Sequence, residues 1–150
     1  MRQAIELAES KMLENAGGPF GAIILRDDEI IGQGWNQVTS LNDPTAHAEM
    51  MAIRDACRTT GDFSLAECDI YCSCEPCPMC LGGIYWARIR RIFYAGQSSD
   101  AAEAGFDDGQ FYSEFALAPE QRNIPARQLL REEAVEVFKL WNQKSDKTEY

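Results

Sequence analysis

His47-Ala48-Glu49, followed by Pro76-Cys77-Pro78-Met79-Cys80, is the stretch from which the rest of the chain is read. One imidazole and two thiols offer three protein ligands to a zinc ion. Three ligands leave the fourth tetrahedral position to water, an arrangement of catalytic zinc sites rather than structural ones. Glu49 stands two residues from a ligand, where a group that moves protons would be needed. Each half alone occurs in many contexts; both halves in this order are far more specific.

Working outward, His47 falls near the start of a helix predicted over 45–58, with Pro44 and Thr45 at its beginning and Gly61 past its end. Cys77 and Cys80 open a second helix over 78–87, where a spacing of three puts them on one face. His47 and Glu49 are only two apart and share no face in mid-helix, so the helix has to meet the metal end-on. Residues 69–74 and 91–95 read as strands on either side of the second helix. Upstream, Ile5, Ala8 and Met12 mark a helix over 1–15 that Gly17-Gly18-Pro19 stops. Strands over 20–25 and 30–34 form a hairpin around a turn at 26–29, and 36–44 is a loop. Downstream, 96–123 reads as a long irregular segment, followed by a short strand over 127–130 and a helix over 132–142. Strands alternating with helices predict an α/β fold, a three-layer α/β/α sandwich around a mixed central sheet, in one domain spanning 1–150.

Charge narrows the partners. The chain carries 24 acidic against 14 basic residues, a net charge of −10. Gripping a phosphate backbone requires basic patches, so no nucleic acid partner is expected, although an acidic balance also serves solubility. No apolar run approaches the length of a membrane span, and the N-terminus carries no secretory pattern, so the expectation is a cytoplasmic protein with no membrane partner. Six cysteines lie at 57, 68, 72, 74, 77 and 80, too clustered for an extracellular disulfide framework and suited to a metal. A cluster of Cys72, Cys74, Cys77 and Cys80 is the rival to the three-ligand site. The ferredoxin run that Cys74, Cys77 and Cys80 begin requires a further cysteine and proline where Ile84 and Tyr85 stand, so it fails. Cys72 and Cys74 read instead as core residues of a strand. A lone histidine is ordinarily a hydrogen-bonded residue, and Glu49 alone a solvated helix-start carboxylate. The downstream cysteine pair is what turns both into site candidates.

Pro19-Phe20-Gly21-Ala22, Asn42-Asp43-Pro44-Thr45-Ala46-His47-Ala48-Glu49 and Ser73 through Cys80 together resemble the cytidine-deaminase-like superfamily of zinc deaminases, whose signature is H-x-E…P-C-x-x-C. Gly82-Gly83-Ile84-Tyr85-Trp86-Ala87-Arg88, Ala101-Ala102-Glu103-Ala104-Gly105-Phe106-Asp107-Asp108 and Lys147-Thr148-Glu149-Tyr150 are similar to the bacterial guanine deaminases of that fold. The resemblance implies one zinc ion per subunit on His47, Cys77 and Cys80, with Glu49 as proton shuttle. It implies a purine pocket shaped by Asn36, Ala48, Trp86, Asp108 and Tyr150, with Phe106 as a further aromatic wall. It also implies a homodimer that exchanges its C-terminal segments, and hydrolysis of guanine to xanthine and ammonia. Guanosine deaminase, tRNA adenosine deaminase and a purely structural zinc module stay open beside that reading. For Trp86 the alternative is core packing; for the charged tail, a frayed terminus.

Overall fold

Asp27 and Asp28 both take positive φ, 48° and 66°, the pair of conformations a two-residue hairpin turn needs. They join β1 (Gly21–Arg26) to β2 (Glu29–Trp35) in antiparallel register, from Arg26 opposite Glu29 to Gly21 opposite Trp35. On its other side β1 pairs antiparallel with β3 (Asp69–Cys74), and β3 pairs parallel with β4 (Arg91–Gly96). The resulting mixed sheet has the order β2-β1-β3-β4. Its parallel step requires a crossover, which α4 (Pro78–Trp86) supplies. The structure, a computed structural model, describes residues 1–149; Tyr150, which the resemblance assigns to the pocket, lies outside the described residues. The chain divides into two compact units, Met1–Gly109 and Gln110–Tyr150.

In the first unit, strand register decides which helix each face receives. Ala22 sits opposite both Gly34 and Cys72, and Ile24 opposite both Gly32 and Ile70, so these six residues share one face. That face carries α3 (Ala48–Thr60), whose Ala48, Ala52 and Ala56 recur every four residues and are fully buried. Contact is backbone to backbone: a Cβ on Gly34 would lie 2.3 Å from Ala48 O and from Ala52 N. Small residues on both partners thus draw the start of α3 down onto β2. Ile84 of α4 joins the same core. The opposite face takes α1 (Arg2–Leu13), where a Cβ on Gly21 would lie 2.3 Å from Ala4 O. Helices on both faces make this unit an α/β/α sandwich.

The second unit is built from α6 (Gly109–Ala116), a 3-10 turn at Pro119–Gln121 and α7 (Arg131–Gln143). Local bonds connect them, among them the Asn123 N–H donating to Glu114 Oε2 at 2.8 Å and the Ala126 N–H to Pro119 O at 3.1 Å. No residue of α6 or α7 is buried.

Four expectations need correction. The predicted strand over 127–130 does not form; that stretch is irregular, and Leu130 takes φ 51° before α7 begins. The segment 96–123 is not irregular: it holds α5 (Ser98–Glu103), α6 and the 3-10 turn. The helix predicted from Thr45 starts only at Ala48, because the Asp43 carboxylate takes both the Thr45 N–H (2.8 Å) and its hydroxyl (2.7 Å) and closes a separate turn. A short helix, α2 (Val38–Leu41), also lies inside the predicted loop.

Candidate metal centre

His47 and Cys77 occupy equivalent places, each the N-cap residue of its helix. Both have extended backbone (φ −71°, ψ 159° and φ −63°, ψ 165°), and neither side chain caps its own helix. Each side chain is therefore free to project from the helix start. Pro78 follows Cys77 at the first helical position, where its missing N–H costs nothing. Cys80 comes three residues after Cys77 and, like every helical residue, tilts its side chain back toward the N-terminus. The three ligand atoms converge within 4.8 Å of one another. His47 Nδ1 lies 3.5 Å from Cys77 Sγ and 3.5 Å from Cys80 Sγ.

Those distances test whether a metal fits. With Zn–S near 2.3 Å and Zn–N near 2.0–2.1 Å, a tetrahedron has an N···S edge of about 3.6 Å. Both edges match, so the residues fit zinc through Nδ1. The electrostatics agree. Hydrogen bonding from Cys80 and from His47 lowers the Cys77 thiol to about 4 although burial opposes it. The adjacent Cys77 sulfur, with burial, pushes Cys80 far up. His47 is raised, chiefly by its bond to Cys77. Without a metal the two sulfurs hold one proton between them; a coordinated cation takes its place and keeps both as thiolates. Two helix N-termini add favourable dipoles. Cys72 is buried in the core, and Cys74 is half-buried with its thiol toward Gln97 O at 3.5 Å, so neither joins the cluster.

Glu49, in the first turn of α3, is 8% exposed. Burial raises its pKa, against the opposing pull of its own backbone N–H and of Cys80. A carboxyl group of raised pKa beside the ligands suits proton transfer. Ala48 is buried against β2 and offers the site its backbone alone, with an N–H among the orphan donors of the first turn. Asp108 is half-buried; burial raises its pKa, and the nearby negative charge of Cys77 raises it further.

Asn36 is nine-tenths buried at the end of β2. Its Oδ1 accepts the Gly18 and Val38 N–H groups, each at 3.3 Å, which fixes the amide orientation. Among the described residues no acceptor takes its amide hydrogens. Gly17 makes room for this residue: at φ 158° a Cβ there would lie 1.6 Å from Asn36 O. Trp86 stands apart from this group. It is six residues beyond Cys80, about 9 Å along the helix axis, and 68% exposed at the outer end of α4. Phe106 packs edge-on against Phe20, ring centroids 4.9 Å apart at 88°.

Two supports escaped the reading of the residues. Gly17-Gly18 registers there only as a helix stop, yet it cradles Asn36. Arg54 pairs with Asp43 (3.7 Å) and donates to Thr45 Oγ1 (3.2 Å), clamping the turn that delivers His47. An arginine nine residues beyond a turn carries no local signal of that contact.

Comparison with known proteins agrees with the geometry. Residues 1–96 match the family model described as cytidine and deoxycytidylate deaminase zinc-binding region. Guanine deaminase of Bacillus subtilis (strain 168) is 49% identical over 150 residues, spanning 100% of this chain and 96% of that protein. The X-ray structure of guanine deaminase from Bacillus subtilis superposes with a TM-score of 0.97 at 50% identity, covering 99% of this chain and 95% of the other. A tRNA-specific adenosine deaminase of Buchnera aphidicola is 41% identical over only 93 residues, 62% of each chain. Three converging ligands with zinc spacing, a buried glutamate beside them and a family match over the same segment lead to one conclusion: the chain belongs to the cytidine and deoxycytidylate deaminase zinc-binding family and is a zinc-dependent enzyme.

Proposed function

We propose that this enzyme deaminates guanine hydrolytically, giving xanthine and ammonia. The observation that carries the reading is the placement of the buried Glu49 carboxyl beside the His47–Cys77–Cys80 cluster, with the Asp108 carboxylate within electrostatic reach of Cys77. Similarity to guanine deaminase over the whole chain supports the choice of base.

Zinc bound there supplies a Lewis acid at which water ionises near neutral pH. Glu49 takes the proton that water gives up and passes it to the ring nitrogen beside C2 of guanine. The same carboxylate then takes the second proton, from the hydroxyl now on C2, and delivers it to the departing amine as the C2 carbonyl forms, so water and guanine become xanthine and ammonia. The Asn36 amide, held by its Oδ1, presents N–H donors to a carbonyl oxygen of the base. The Ala48 N–H is a second donor at the helix start. Asp108 accepts an imidazole-edge N–H, a donor that guanosine has lost to ribose at N9. Sites built on a polar partner discriminate more sharply than apolar ones.

The working form is a homodimer with exchanged C-terminal segments. Exposed apolar side chains in both units support it, including Tyr85 and Trp86 in the first and Val137, Phe138 and Leu140 in the second. The resemblance also assigns Trp86 and Tyr150 to the pocket, Tyr150 lying outside the described residues. Among the described residues no helix is long and apolar enough to cross a membrane, and six free cysteines suit a reducing cytoplasm.

The test is ammonia release from guanine, guanosine, adenine, adenosine, cytosine and cytidine, and from adenosine in tRNA. Guanine should be the preferred substrate. Equal or faster release from guanosine, or turnover of tRNA alone, overturns the guanine assignment; zinc retention with no turnover of any of them overturns the enzyme reading of this site.

A further inference from the structure

Glu75 lies between the end of β3 and the ligand Cys77, and the reaction above does not use it. Its main-chain N–H donates to Gly96 O at 2.9 Å. Its side-chain Oε2 accepts the Ser98 N–H at 3.1 Å, a contact spanning 23 positions. Ser98 is the first residue of α5, so Glu75 satisfies one of the orphan donors of that helix. Two more ties gather at this junction: the Cys74 thiol toward Gln97 O, and the capping box in which the Gln97 N–H donates to Asp100 Oδ2 at 2.8 Å.

A helix of six residues has little stability of its own, so its end contacts decide where it lies. The far end of α5 is closed by a Schellman pair, with the Phe106 N–H on Ala101 O (2.9 Å) and the Gly105 N–H on Ala102 O (3.0 Å). Gly105 takes φ 92°, which favours glycine. Phe106 then lands on Phe20, and Asp108 follows two residues later. The loop bearing Asp108 is thus anchored by Phe106 on one side of α5 and by Glu75 on the other.

We propose that Glu75 is a positioning residue for Asp108: its bond to the Ser98 N–H registers the base-recognising loop against the Cys77–Cys80 ligands and thereby sets the preference for free base over nucleoside. This deepens the guanine reading and rests on it. Glu75 serves neither as ligand nor as acid or base; it joins the metal-binding turn to the recognition loop through one hydrogen bond.

Glu75→Ala and Glu75→Gln, each alone and with Asp108→Ala, test it by steady-state kinetics on guanine and guanosine, zinc content, and hydrogen exchange at residues 98–106. Glutamine keeps an oxygen acceptor and alanine does not. Glu75→Ala should raise KM for guanine and shrink the guanine-to-guanosine ratio of kcat/KM, each on the order of tenfold, the size of one lost charge-assisted bond. Zinc content should hold, amide exchange should quicken, and Glu75→Gln should stay within about threefold of the parent on the same scale. In the Asp108→Ala background Glu75→Ala should add little, because residues in one chain of contacts are not additive. Full additivity, zinc loss in Glu75→Ala, or Glu75→Gln as damaging as Glu75→Ala would each overturn the proposal. Should the parent enzyme release no ammonia from guanine, the guanine reading is what fails; unchanged amide exchange in Glu75→Ala then rejects the tie itself.

Discussion

The two units bury their apolar residues in opposite ways. In the first, Ile24, Leu65 and Ile70 are wholly inaccessible, and alanines and glycines let helix and sheet meet backbone to backbone. In the second, Val137, Phe138 and Leu140 of α7 are each more than 60% exposed, although the helix is as amphipathic as α3. A single chain rarely leaves so many large apolar side chains in water. Amphipathic periodicity states that a helix face wants cover; it is silent about what covers it. The first unit encloses a core of its own around the sheet, whereas the α7 face has none.

The sharpest break between the units should come from the first. Glu49→Gln removes the proposed proton carrier without touching a ligand or the alanine face of α3. Turnover should fall by about 10²–10⁴-fold with zinc content unchanged. A variant that deaminates at near the parent rate would end the shuttle assignment. In the second unit, Phe138→Asp places a charge on the uncovered face of α7. If that face is an interface, association should weaken by about 2–4 kcal/mol, read as a shift from dimer to monomer mass in sedimentation. Zinc content should hold, because the ligands belong to the first unit; an unaltered dimer would remove α7 from the interface.

Smaller changes sharpen the contrast inside the first unit. Gly34→Ala drives a methyl into Ala48 O and Ala52 N and should cost about 1–3 kcal/mol in urea unfolding. Gly82→Ala, where nothing lies within 4 Å, should be neutral or slightly stabilising. Equal effects at both positions would show that α3 does not depend on backbone contact. A small, pH-dependent effect is expected at Asp69, whose carboxyl Arg91 and Arg90 hold well below the usual range. Its folded pKa lies below its unfolded value, so its contribution is present above about pH 4 and is lost as pH falls through the folded value. Asp69→Asn should lower the urea midpoint slightly at pH 7, since both guanidinium groups are half exposed and screened. The difference from the parent should close in acid; a gap independent of pH would assign it to packing.

Much of the first unit was legible in the residues. A β-rich run before the polar turn Arg26-Asp27-Asp28-Glu29 and its return from Ile30 marked the hairpin, and the segment from β3 through α4 to β4 carried its own strand–helix–strand pattern. The ligands were legible too, because zinc demands particular donor types at short spacing. Less legible was the start of α3. Thr45 is a good cap by type, but the Asp43 carboxylate captures it first, and the helix begins at Ala48 with His47 as its cap. That shift of three residues is what turns the imidazole end-on to the metal. The strand expected over 127–130 failed because apolar Leu129 and Leu130 have no neighbouring edge in their own unit to pair with.

By itself, then, the amino-acid sequence determined the donor set His47, Cys77 and Cys80, the acid beside it and the order of the main elements, since these follow from residue type and local spacing. Tertiary structure alone decided that two helix caps meet with His47 Nδ1 3.5 Å from both sulfurs, that Gly17 and Gly18 orient Asn36, and that Glu75 holds Ser98. The physical reason is common to all of these. They are contacts between segments distant in the chain, set by how closely small residues let backbones approach, and neither periodicity nor spacing encodes that distance.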